Sequence, residues 1–571
     1  MAKITNSKVD KNSGKNAAPT QSVAIPITDR IDLWLMPKIH IIAWVLVGIT
    51  ALFGALLFDT RLSFATDDAT YVANALSVIA NRAYPTYQGS LYPFFLVMLI
   101  KVFGVKLLLF KFASFVLMIG QQILLYYTLR KRIPALFLCI TMAVFAFNAY
   151  ILVYGSSTFT ESFFMFMQTL SFWAFFKLID KIDKPGSKLA QQIPYWIIFS
   201  ICFLLLTITK NVALFAAVAF VAYFAFRKQW MALFLAIGFF VVTKVAYELS
   251  VRVVFGNVTT GQIEQQLRKK HDDPSQGYDN VNGFINRYTT NFGQYVSIHI
   301  YKTLGIRGTG NPTLFTTEKS TELDPQKAIK PNALLSIMFL IVFILALWVT
   351  WRQNKYLFYI LLYVGALCNV SFLIQTYWNQ DRYVIIFLPF LLAGVVYGLD
   401  GLGRMRKLPI LSLLGVVLAG LVLIIEIGTT LTTSKKTRGG FSAALGGNVY
   451  HNYDEPTTAY LKAAAWIGSN LPAQAITGTA RNREATVFAG NLNFIKPDLK
   501  ALSDPNMQTP DSIVAVLNRQ KITHLLTTGS GLGIDPQLAE FLAKSVPSHA
   551  KLLHSEPDGL GDEAKIWELI K

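Results

Sequence analysis

Apolar runs of about 20 residues recur along most of this 571-residue chain, and that is the length a helix needs to cross a bilayer. No other feature restricts the fold as strongly. Only 15% of the residues are charged and 53% are hydrophobic, with a mean hydropathy of +0.43. A soluble chain carries about a quarter charged residues. The class is therefore an α-helical polytopic membrane protein. The runs predict spans at 39–58, 105–129, 135–154, 161–178, 194–209, 211–226, 231–250, 333–351, 356–375, 383–399 and 409–429.

The net charge of +19 does not indicate nucleic acid. Its basic residues cluster in the tail before the first span and in the short connections "RKR" (130–132), 177–188, "RK" (227–228), "WRQNK" (351–355) and "RMRK" (404–407). Every second connection is basic, which places those connections in the cytoplasm. The N-terminus is then inside and the C-terminus outside. Residues 1–38 read as a disordered cytoplasmic tail, 39–429 as the transmembrane domain with helices lying beside the membrane, and 430–571 as a small α/β domain outside. In that domain, helix-like runs (456–469, 511–519, 536–545) alternate with strand-like ones (475–480, 522–528, 565–570). The segment "LYPFFLVMLIKVFG" (91–104) is too short to span, so residues 59–104 form one external loop. Residues 251–332 form another. Cys139, Cys202 and Cys368 all lie in apolar runs and suggest neither disulfides nor a zinc site.

The first external loop carries "DDATY", with Asp67 and Asp68 adjacent. Val72, Ala75, Leu76, Ile79 and Ala80 then recur at helical spacing and predict an amphipathic helix along the membrane surface. One carboxylate suits the N-cap of that helix. The second acid is left to explain. Ionisable residues near spans default to a functional reading, and three more occur at the same expected level: Glu161 opening one span, Lys210 between two, and Arg382 entering another. Lys210 and Arg382 also fit snorkelling helix ends. Lys244 and Glu248, spaced i, i+4, read as a local ion pair, and "HDDP" (271–274) as a turn.

Taken in order, "DDATY", "SLYPFFLVMLIKVFG", "TFTESFF", "LLLTITKNVALF" and "DRYVIIFLPFLLAG" resemble the GT-C superfamily of membrane glycosyltransferases. The likeness is to the bacterial branch related to protein O-mannosyltransferases and lipid A aminoarabinose transferases. It covers roughly 40–430. It implies an enzyme of the bacterial inner membrane that moves a sugar, with inversion, from a polyprenyl-phosphate donor to a hydroxyl on a glycolipid, polysaccharide or protein. Asp67 maps onto the general base, with Asp68 orienting the acceptor, a metal or the loop. Lys210 and Arg382 would meet the donor phosphate, and Glu161, Tyr71 and Tyr383 would contact substrate. Metal use varies across the superfamily, so the resemblance admits a divalent metal without requiring one. Where relatives carry Lys or Arg before the proline run, this chain has Gly89, Ser90, Leu91 and Tyr92, so a phosphate handle has moved or been lost. The rival reading is a transporter or flippase of a lipid-linked saccharide, which would favour repeated halves with broken helices. The sequence shows no such repeat.

Overall fold

The computed structural model describes residues 26–63, 67–86, 89–258, 267–269, 277–306, 330–376, 380–498, 509–529, 544 and 549–570. The first 25 residues, the HDDP turn and all but Lys544 of the run 536–545 lie outside them. Eight helices among the described residues are long and apolar enough to cross a bilayer. They are Ile27–Leu56, Leu107–Leu129, Thr160–Ile182, Leu189–Thr209, Trp230–Phe255, Ala333–Gln353, Lys355–Leu373 and Pro409–Ser434. A ninth is the pair Ala135–Phe147 and Ala149–Ser156, bent by 61°. The chain is an integral membrane protein. Two further expected spans are also helical: Asn211–Phe226 is short, and Leu388–Arg406 carries Asp400, Arg404 and Arg406.

The bend in the ninth has a side-chain cause. Asn148 leaves helical geometry, and its Oδ1 accepts from the Ile151 N–H at 3.1 Å. Its amide donates to the Thr303 carbonyl (2.7 Å) and to Glu426 Oε1 (2.9 Å). A buried amide is costly unless bonded, so these partners fix where the helix breaks. The break delivers the short stretch that leads to Glu161.

One expectation fails in the tail. Residues 27–35 form a helix rather than disordered chain. Thr28 Oγ1 donates to Asp400 (2.6 Å), Asp29 pairs with Arg404 (2.6 Å), and Asp32 accepts from the Leu136 N–H (2.9 Å). The polar residues that made "ITDRIDLWL" look unstructured are the contacts that dock it. Arg132 meets Asp180 (2.6 Å) and Lys355 meets Asp183 (2.6 Å). The basic connections and the N-terminal helix thus share this polar end of the helical domain.

The expected surface helix runs Asp67–Asn81, and Leu91–Phe103 is a separate 13-residue helix. After Pro409–Ser434, the described residues build five strands: β1 (Thr477–Gly478), β2 (Phe494–Ile495), β3 (His524–Thr527), β4 (Ala550–Pro557) and β5 (Glu563–Leu569). Their order is β2-β1-β3-β5-β4, with β1 parallel to β2 and β3 and the other pairs antiparallel. Helices Glu455–Asn470, Asn482–Ala489 and Pro510–Arg519 accompany the sheet. The expected β1, β3 and β5 are present, while β2, β4 and Asn482–Ala489 went unread. This domain sits on the loop 59–104: Thr60 Oγ1 donates to the His451 carbonyl (2.6 Å), the Leu62 N–H to Tyr453 OH (2.6 Å), and Arg483 to Thr70 Oγ1 (2.9 Å).

Candidate active site

Four segments far apart in the chain converge at the other end of the helical domain. Asp67 and Asp68 occupy the first turn of Asp67–Asn81, where carboxylates are favoured by the helix dipole. Their side chains have opposite fates. Asp68 is fully buried and accepts from the Ser63 N–H (2.8 Å), Ser63 Oγ (2.9 Å) and the Ala69 N–H (2.9 Å). Burial, the largest influence, pushes its carboxyl above the ordinary carboxylate value, against the pull of Lys111 and these hydrogen bonds. Asp68 therefore holds the loop, one of the roles open to it. Asp67 keeps 20% of its side chain exposed, and its Oδ2 accepts from Arg382 Nη1 at 2.6 Å.

Glu161 opens the helix Thr160–Ile182 and is fully buried. Its Oε1 meets Lys210 Nζ at 2.6 Å. Lys210 lies in extended backbone just after Leu189–Thr209. Gly89 supports that place, because a Cβ there would overlap the Thr209 carbonyl oxygen. Gly89 thus sets the approach of the segment before Lys210. Tyr383 sits between the pairs, its ring centroid 5.6 Å from Lys210 Nζ and 5.6 Å from Arg382 Cζ. Tyr71 is 3.3 Å from Thr160 Oγ1 through its hydroxyl and packs edge-on against Tyr92. Both tyrosines are buried and wall the site.

All seven candidate residues therefore come together. Among the described residues, Glu161 Oε2 and Arg382 Nε are buried without a hydrogen-bond partner. Buried polar atoms are normally satisfied, so two bonding positions remain for a polar ligand. No group of three or more His, Cys, Asp or Glu among the described residues stands together to hold a metal. Asp67 and Glu161 are each matched by a cation.

Several supporting residues escaped the sequence reading. Lys111 is buried inside the span Leu107–Leu129 and donates to the Arg61 and Ser156 carbonyls, each at 2.7 Å. It ties the loop before Asp67 to the stretch before Glu161. A lone lysine inside an apolar run was the available signal. Asp381, beside Arg382, is bonded to His299 Nδ1 and lies 2.9 Å from Lys302 Nζ. Burial would raise its carboxyl, but the interactions with His299 and Lys302 win and hold it below the ordinary value of 3.8.

The fold and site define a polytopic membrane protein with an acid–base cluster at one end. No protein-family model matches the sequence, and no curated protein matches it. Solved structures do. ArnT from Cupriavidus metallidurans bound to undecaprenyl phosphate is similar over 92% of this chain and 97% of its own, with 11% identity and a TM-score of 0.52. Its apo state matches over the same shares at 12% identity and the same TM-score. The oligosaccharyltransferase AglB from Archaeoglobus fulgidus, with a dolichol-phosphate and an inhibitory peptide, has 12% identity, covers 85% and 69% of the two chains, and has a TM-score of 0.47. The chain shares the overall fold of ArnT, with a small C-terminal sheet.

Proposed function

We propose that the chain transfers a sugar from a polyprenyl-phosphate donor to an acceptor hydroxyl, with inversion, at the outer face of the inner membrane. The observation that supports this most is the pairing of Asp67 with Arg382 and of Glu161 with Lys210 at one end of a GT-C fold. Asp67, the more exposed acid, takes the acceptor proton as the hydroxyl oxygen attacks the anomeric carbon. The bond from that carbon to the phosphate oxygen breaks, and its electron pair leaves on the polyprenyl phosphate. Arg382 and Lys210 stabilise the charge that develops there. The unbonded Nε edge of Arg382 suits a phosphate oxygen, and Glu161 Oε2 suits a sugar hydroxyl. ArnT, similar in fold, binds undecaprenyl phosphate, which favours such a donor. The outer-face assignment rests on the basic connections gathering at the opposite end.

Purified protein in nanodiscs, given radiolabelled polyprenyl-phosphate pentoses and hexoses with cell-envelope acceptors, should release polyprenyl phosphate and label an acceptor. In proteoliposomes, donor translocation without transfer would instead establish the flippase reading. Single cysteines in place of Lys462 and Lys407 check orientation: only the first should react with an impermeant reagent outside the inner membrane.

A further inference from the structure

A polar cavity lies beside the site, between the first external loop and the C-terminal domain. It encloses about 190 Å³. Arg61, Leu62 and Ser63 form its membrane-domain wall, while Asn452, Tyr453 and Thr457 stand on the domain side. Tyr460, Arg481 and Glu484 complete the domain wall. Arg481 and Glu484 follow the carboxyl end of β1, the edge of an α/β sheet where ligands are commonly held.

The lining states what would fit. Its charges balance: Arg61 and Arg481 face Asp454 and Glu484, so the cavity does not select an anion. Arg61 is already committed to Asp59 at 2.7 Å. Arg481 makes no side-chain hydrogen bond among the described residues, and the buried Asn452 Nδ2 has no partner there. Asn452 is also held at φ 68°, in the left-handed region, strain of the kind that collects at ligand sites. Ser63, Thr457 and the tyrosines add short polar groups and ring faces. A lining that offers donors, acceptors and aromatic faces with no net charge suits a ligand whose hydroxyls both donate and accept. The volume suits one sugar ring. The cavity also touches the chemistry, because Ser63 gives both its N–H and its hydroxyl to Asp68, next to Asp67.

We propose that this interdomain cavity binds a saccharide unit of the acceptor, so that the acceptor is a glycan or glycolipid rather than a protein. This rests on the glycosyl-transfer reading and narrows its acceptor class. The C-terminal domain thereby seats the acceptor against the loop that carries the base.

The test uses the full-length protein in nanodiscs, with methyl glycosides of common hexoses and pentoses as probes in saturation-transfer NMR. Binding of undecaprenyl phosphate is measured separately by lipid-dependent thermal stabilisation. Wild type should give glycoside signals. Thr457→Trp, which fills the cavity, should abolish them, and Arg481→Ala should weaken binding about tenfold or more. Both variants should keep lipid stabilisation, which verifies that they are folded. Glycoside signals that survive in both variants, or protection of the cavity by unglycosylated peptides instead, would overturn the proposal. Loss of lipid stabilisation in wild type would count against the donor reading alone, since the glycoside readout does not depend on it.

Discussion

The two polar ends of the helical domain use ion pairs in different ways. At the basic end, Lys355–Asp183 and Arg404–Asp29 join connections while keeping between 24% and 37% of each side chain exposed. Water screens such pairs, and each contributes about 0–1 kcal/mol. At the other end, Glu161 is fully buried, Lys210 is 12% exposed and Arg382 10%. Burying charges costs several kcal/mol per ion, and here the cost is only partly recovered, because Glu161 Oε2 and Arg382 Nε have no hydrogen-bond partner among the described residues. Lys355–Asp183 and Arg404–Asp29 fasten their segments within reach of water. Pairs that are buried and left incomplete are arranged for something that arrives.

The largest effect should come from Asp67→Asn, which keeps the shape but removes the base. Turnover is expected to fall by about two to four orders of magnitude with normal protein yield. Wild-type turnover in the purified variant would erase the functional half of the contrast. Next is Arg382→Ala, expected to lower kcat/KM for donor by about a hundredfold, with Arg382→Lys recovering only part because the planar fork is lost. Unchanged donor kinetics would make Arg382 an ordinary helix-end cation.

Lys210→Met leaves Glu161 buried and unmatched, and should cost about 3–5 kcal/mol of stability. Adding Glu161→Gln should restore much of the thermal midpoint without restoring activity, which separates fold from function. Lys210→Arg should stay active.

Asp381 sharpens the comparison through pH. Its folded-state carboxyl is held below the ordinary 3.8 by His299 and Lys302, so its contribution is present above that value and is lost as pH falls through the lower folded value. Wild type should therefore lose more stability between about pH 4 and pH 2 than Asp381→Asn, read as the difference in thermal midpoints. The smallest effect belongs to the basic end: Lys355→Ala should cost at most about 1 kcal/mol and leave turnover unchanged.

Much of this was legible from the chain because membranes impose simple rules. Apolar length located the spans, and charge stood out against it at Asp67, Glu161, Lys210 and Arg382. Order along the chain was enough to gather these residues, but pairing was not: nothing in the spacing joins position 67 to 382 rather than to 210. Lys111 was hidden because one lysine barely lowers the hydropathy of a 23-residue helix. Helix Ile27–Leu35 was missed for the opposite reason, since its polar face finds partners more than 100 residues away. Asn148 resembled any polar residue in an apolar run, and its role depends on Glu426 and Thr303.

That last dependence sets an order of assembly. The ribosome delivers Asn148 to the membrane 278 residues before Glu426, so the newly inserted amide must wait in lipid, or on a temporary partner, until the final span arrives. Thr430 on that same span then binds the Phe147 carbonyl at the break. The bend that leads to Glu161 is thus locked by Pro409–Ser434, a helix made long after it and the one from which the C-terminal domain hangs.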